Sequence, residues 1–146
     1  MKIAEEALYQ IKAHGERTYP EECCGVMLGA ELEHGREVQS IIEIDNSQEE
    51  NRKRRFFVTP EQYRHAERAA AEQQKTLLGF YHSHPDHPAK PSAFDTEHAL
   101  PWFSYIIVSV LQGRADKVTS WRLSQDRGQF EENLLSVLSA PVRISR

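Results

Sequence analysis

The sequence predicts a single α/β layered domain on a mixed sheet, spanning residues 1–146. Three observations carry that expectation. Stretches with helical periodicity alternate with short apolar runs of strand length. The chain of 146 residues has the size of one ordinary domain, long enough to bury a core without staples. Its 39% hydrophobic and 27% charged residues argue against disorder, and there is no internal repeat or low-complexity segment.

Ile3, Ala7, Leu8 and Ile11 recur at helical spacing, which predicts an amphipathic helix over about residues 3–14 with Gly15 as its stop. Tyr19-Pro20 then breaks the pattern. The glycine-bounded run from Cys24 to Gly29 reads as a buried strand, and the run from Val38 to Asp45, opened by His34-Gly35, as its hairpin partner. The polar stretch from Asn46 to Arg55 reads as a solvated loop, with docking of a partner as the alternative, and Phe56-Phe57-Val58 as one more short strand. Thr59-Pro60-Glu61-Gln62 has the composition of a capped helix start, with Tyr63, Ala66 and Ala70 on the buried side.

Residues 77–84 are expected to form a strand. Strict alternation puts Leu78, Phe80, His82 and His84 on one face, and Leu77, Gly79, Tyr81 and Ser83 on the other. Pro85, Pro88 and Pro91 stiffen the loop that follows. Ser92 has the makings of an N-cap for a short helix to about Ala99. The run from Tyr105 to Leu111 reads as a strand buried on both faces, Gln112-Gly113 as a turn, and Lys117 to Leu123 as a final strand. Leu134, Leu135 and Leu138 suggest a C-terminal element of either type.

A formal net charge of −4 gives no electrostatic case for nucleic acid or an anionic membrane as partner. Acids near the start, where a signal peptide would be apolar, and the lack of a run of about 20 apolar residues make the cytoplasm the default compartment. The adjacent Cys23 and Cys24 cannot close an ordinary disulfide with each other and read as reduced thiols.

His82 and His84, on one face of a strand end, form a pincer for a cation. Imidazole nitrogens suit zinc, and Asp95, a short rigid loop away, is placed to be a third ligand with one position left open. A catalytic zinc also needs a base for its water. Glu21, Glu22, Glu97 and Asp86 are the candidates, and burial beside the apolar strand at Cys23 and Cys24 would raise the proton affinity of Glu22 toward a useful range. His87 reads as a solvated loop residue.

Other metal hydrolases fit poorly. The chain is short for an amidohydrolase barrel, typically about 250 residues. It lacks the helical His-Glu-x-x-His of zincins, and its cysteines are adjacent where a nucleobase deaminase needs Cys-x-x-Cys.

Glu22, then His82-Ser83-His84-Pro85, seven residues counted from Pro85 to Pro91, Ser92, two residues and Asp95 together resemble the JAMM motif of MPN-domain metallopeptidases. The resemblance spans nearly the whole chain. It implies a JAB1/MPN-type domain, with a curved mixed sheet flanked by helices in three layers as in cytidine deaminases. It also implies one zinc on His82, His84 and Asp95, with Glu22 as general base. Ser92 would donate to the oxyanion, an effect of roughly 3 kcal/mol, or else merely cap the helix of Asp95, since one hydroxyl seldom does both.

The implied activity is hydrolysis of an amide bond at the C-terminus of a ubiquitin-like or sulfur-carrier protein, such as release of cysteine from a carrier adduct. An extended tail would be held as an added strand. The alternatives are a non-catalytic MPN scaffold and a zinc hydrolase of small free amides. A homodimer is compatible with all three.

Overall fold

The computed structural model describes residues 1–45, 59–126 and 128–139. The polar stretch 46–55 and the expected strand at 56–58 lie outside the described residues. Among the described residues, three helices and eight strands run β1 (Lys2–Ala4), α1 (Glu5–Thr18), β2 (Cys24–Leu32), β3 (Gly35–Ile44), α2 (Pro60–Glu72), β4 (Thr76–Pro85), α3 (Ala93–His98), β5 (Ser104–Leu111), β6 (Arg114–Leu123), β7 (Phe130–Asn133) and β8 (Ser136–Leu138). The strands form one mixed sheet in the order β7-β6-β5-β4-β2-β3-β1-β8. β4 and β5 pair in parallel, as does β1 with both β3 and β8, while the other neighbours are antiparallel.

Each face of the sheet carries its own apolar cluster and helix. α1 sends Ala7 and Ile11 against Met27, Leu78, Tyr81, Ile106 and Val108. α2 sends Ala66 and Ala70 against Val26, Leu28, Leu77, Phe80 and Tyr105 on the opposite side. The result is the expected helix–sheet–helix sandwich with a curled sheet. β5, apolar on both faces, lies inside it and buries every residue from Ser104 to Val110.

The hairpin β2–β3 and the start of α2 agree with the sequence reading, and the turn lies at Glu33-His34, one residue before the expected His34-Gly35. Thr59 and Gln62 form a reciprocal capping box with Pro60 in the first turn. The N-terminal element does not agree. Ile3 belongs to β1, and α1 begins at Glu5 and runs through Gly15 to Thr18. Gly15 serves close packing here rather than termination: a Cβ on it would come within 3.0 Å of Val110. Of the leucines that suggested a C-terminal element, only Leu138 lies in a strand, β8, while Leu134 and Leu135 link it to β7.

Strict alternation along β4 also fails, at one point. Leu78 packs with Tyr81 on the α1 side, and Leu77 with Phe80 on the α2 side. The register against β2 shifts there: Met27 faces Gly79 while Leu28 faces Leu77, which leaves Leu78 as an extra residue. Such a bulge reverses side-chain alternation on one side of it. From Phe80 onward the expected alternation holds, and this is the half that carries the histidines.

Gly79 lies at that irregularity, where a Cβ would stand 1.8 Å from the carbonyl oxygen of Ser104. Gly79→Ala must therefore part β4 from β5. It is expected to cost on the order of 3 kcal/mol, read as a lowered urea midpoint.

Candidate metal centre

The end of β4 delivers both imidazoles to one side, with ring centroids 4.9 Å apart. The proline loop then turns the chain, and the carbonyl of Pro88 returns to Nδ1 of His84 at 2.9 Å. A carbonyl can only accept, so Nδ1 carries the hydrogen and Nε2 is the ligating nitrogen. A hydrogen bond of this kind from the far side of the ring is what orients metal-bound histidines.

Asp95 reaches the same point from α3. Its Oδ1 lies 3.3 Å from Nε2 of His82 and its Oδ2 lies 3.2 Å from Nε2 of His84. The helix start holds it there. Asp95 N–H donates to Oγ of Ser92 at 3.0 Å, and Ser92 N–H donates to Oδ2 of Asp95 at 2.8 Å. The Ser92 hydroxyl accepts in its capping role and keeps its own hydrogen to donate. The two roles weighed for Ser92 are therefore compatible, because a hydroxyl is both acceptor and donor.

Glu22 completes the group. One oxygen lies 3.7 Å from Nδ1 of His82, and Glu22, His82 and His84 bring ligand atoms within 4.8 Å of one another. Its position is set by a clasp that sequence reasoning missed. Ser83, between the two histidines, points to the other side of the strand. There its Oγ accepts the Cys23 N–H at 2.8 Å, and its own N–H donates to the Cys23 carbonyl at 3.1 Å. The residue next to Glu22 is thus tied to the residue between the ligands. A serine flanked by two candidate ligands was the available signal.

Burial sharpens the chemistry. Glu22 is 3% exposed and His82 1%. With neutral imidazoles, the two carboxylates leave buried negative charge, a costly arrangement unless a cation compensates it. Nitrogen and carboxylate donors converging on one point fit a divalent ion such as zinc.

The proton affinities differ in direction. Burial raises Glu22 above the ordinary glutamate range, partly opposed by a hydrogen bond and charge from His82. Burial pushes Asp95 up too, but the charge of His82, a hydrogen bond from His84 in its protonated form and one from the Ser92 N–H hold it well below the usual carboxylate range. For His84, burial disfavours the charged form, yet hydrogen bonds to Asp95 and Pro88 raise it overall.

The remaining candidates separate cleanly. Asp86 is engaged elsewhere, accepting from the Tyr19 hydroxyl at 2.5 Å and the Gln112 N–H at 2.8 Å. Glu97 and His87 are exposed. Cys23 and Cys24 are free and buried, and burial pushes Cys23 up to about 11 and Cys24 higher still, so neither offers a thiolate nucleophile. Two hollows flank the ligand group. One is bordered by Glu22, His84, His87, Lys90 and Ser92 together with Pro85 and Pro88. The other is apolar and reaches His82 and Asp95. No helix among the described residues is long and apolar enough to cross a membrane.

Comparison with known proteins agrees with this geometry. The family described as prokaryotic homologs of the JAB domain matches residues 4–124. A solved protein from Salinibacter ruber is 40% identical, with a TM-score of 0.75 over 100% of this chain and 97% of that one. A structure described as "JAMM: A Metalloprotease-like Zinc Site in the Proteasome and Signalosome" shares the fold, with a TM-score of 0.57 at 19% identity over 94% of this chain and 97% of that one. Tail tip assembly protein K of Escherichia phage N15 is 32% identical over 104 residues, 68% of this chain; the chain spans only 38% of that curated relative. The match over most of its length places this chain in the family of prokaryotic homologs of the JAB domain.

Proposed function

We propose that the chain is a zinc-dependent peptidase that hydrolyses an amide bond at the C-terminus of a ubiquitin-like or sulfur-carrier protein, for example releasing cysteine from a carrier adduct. Family membership and the grouped donors support the coarser statement, a metal-dependent hydrolase. The observation that carries the proposal is the convergence of Glu22, His82, His84 and Asp95 with Ser92 beside them.

His82, His84 and Asp95 would hold the ion. When bound, zinc supplies a Lewis acid and a water of lowered pKa. Glu22, buried beside both histidines with one oxygen 3.7 Å from Nδ1 of His82, would serve as the base. Its carboxylate would take the proton of the attacking water at an oxygen and return it to the leaving amine. The Ser92 hydroxyl, its acceptor side occupied by Asp95 N–H, would donate its hydrogen to the developing oxyanion. An extended tail held as an added strand by backbone hydrogen bonds would present the carbonyl.

Ser83 would act through Glu22 as a positioning residue. Ser83→Ala leaves the buried Cys23 N–H without its acceptor, an arrangement costing about 1–3 kcal/mol, and frees Glu22 to shift. The expected result is about a tenfold lower kcat at unchanged KM, with Ser83→Thr restoring the rate. An equal loss in Ser83→Thr would contradict the positioning role.

The raised proton affinity of Glu22 gives a pH signature. A base must be ionised, so kcat/KM should rise with pH through a value above the ordinary glutamate value of 4.5. The pH–rate profile measures it.

A second reading, a non-catalytic module within a larger assembly, draws support from the likeness to a tail tip assembly protein. The complete set of five site residues favours the peptidase. Cleavage of a carrier-protein adduct by the zinc-loaded chain, compared with Glu22→Gln, decides between them.

A further inference from the structure

The apolar hollow beside the ligands is unexplained by the reaction itself. It encloses ≈ 330 Å³, and among its walls are Tyr63, Phe80, Phe94, Tyr105, Ile107 and Phe130. These come from α2, β4, α3, β5 and β7, so the walls are set by the fold rather than by one adaptable loop. The rings brace one another: Phe80 stacks on Tyr105 at 5.7 Å, and Tyr105 meets Phe130 edge-on at 5.7 Å. Well-packed interiors hold few voids larger than a water, and an open apolar hollow of this size does nothing for folding. Apolar walls with a few polar groups converging at one end are the ordinary anatomy of a ligand site.

Two further observations say what enters it. His82 and Asp95 form part of its wall, so its occupant lies beside the carbonyl under attack. Glu22 and Ser92 border the second hollow, with His87, Lys90 and two prolines. Glu22 is the group that would hand a proton to the leaving amine, so the amine side belongs to the hollow that Glu22 borders and the acyl side to the aromatic-walled one.

We infer that this hollow is a specificity pocket for an apolar side chain, aliphatic or aromatic, carried on the acyl side of the scissile amide within its last few residues. The inference rests on the peptidase reading of the metal centre. It narrows the substrate to tails carrying such a residue near the bond, and a tail with only small or charged residues there lacks the recognition element.

The test uses the zinc-loaded wild-type chain and peptides that mimic the released acyl tail, with a free carboxylate. Leucine or phenylalanine stands at the last, second-last or third-last position, and the reference peptides carry serine throughout. Binding is followed by NMR of the Ile107 and Ala99 methyl groups, which line the hollow. At least one apolar peptide should bind about tenfold or more tightly than its serine counterpart, the gain expected for burying one such side chain. It should shift both methyls, and Phe94→Ala and Tyr63→Ala, on two different helices, should each shrink the preference. Serine peptides that bind as tightly, or apolar peptides that leave both methyls unmoved, would overturn the inference. Binding is read without turnover, so an absence of cleavage counts against the peptidase reading and leaves the pocket result to be judged by itself.

Discussion

Glu22→Gln is expected to lower kcat by about a thousandfold while leaving the fold and the bound zinc in place. The magnitude follows from the usual worth of a positioned general acid–base. Glutamine matches glutamate in shape, so the clasp of Cys23 by Ser83 and the packing at the end of β2 are undisturbed. What disappears is the ability to accept a proton. Glu21, Asp86 and Glu97 offer no replacement: the first faces partly outward, the second is held by Tyr19 and Gln112, and the third is exposed. Single-turnover hydrolysis of a tailed carrier-protein adduct, with zinc measured on the same sample, checks both halves. A variant that retains zinc and full activity would place the base elsewhere.

His82→Ala and Asp95→Asn should each weaken zinc binding by at least about a hundredfold, since even losing an orienting partner outside the ligand set costs about 10–100-fold. The two substitutions fail differently. His82 is fully buried on a central strand, and alanine leaves a space where the ring met Asp95. The asparagine side chain in Asp95→Asn keeps nearly the same volume and an oxygen for the Ser92 N–H, so α3 retains its cap while the negative ligand is gone. Both should abolish hydrolysis, and only His82→Ala should lower the thermal midpoint by much. Elemental analysis after dialysis reads the zinc. Full zinc content in Asp95→Asn would assign the third ligand position to Glu22, which lies within reach of both histidines.

Much of this was legible because the relevant signals are local. The capping box at Thr59 and Gln62, the hairpin turn at His34 and the short helix opened by Ser92 depend on residues three or four positions apart. Hence boundaries came out close at these three places. The histidine pair was equally readable, because alternation holds across Ser83, the one residue between His82 and His84.

What failed depends on partners far away in sequence. The bulge at Leu78 is set by the register of β4 against β2, and nothing in residues 76–85 alone shows an extra residue. Gly15 looks like a stop signal, yet α1 continues because that glycine lets the helix pack closely on Val110 and Ser83. Ile3 has helical spacing but is taken by strand pairing with Val38 and Val137. The apolar hollow was invisible for the same reason, since its walls gather five separate elements.

A peptidase with one zinc held by His82, His84 and Asp95 must lose its activity with the metal and regain it at a fixed stoichiometry. The most direct measurement starts from chelated wild-type protein and follows the initial rate of adduct cleavage as zinc is added back. The rate should rise from background, climb in proportion to zinc, and break to a plateau at about one equivalent per chain. A rate untouched by chelation, or one that stays at background after a full equivalent of zinc has bound, would contradict the account.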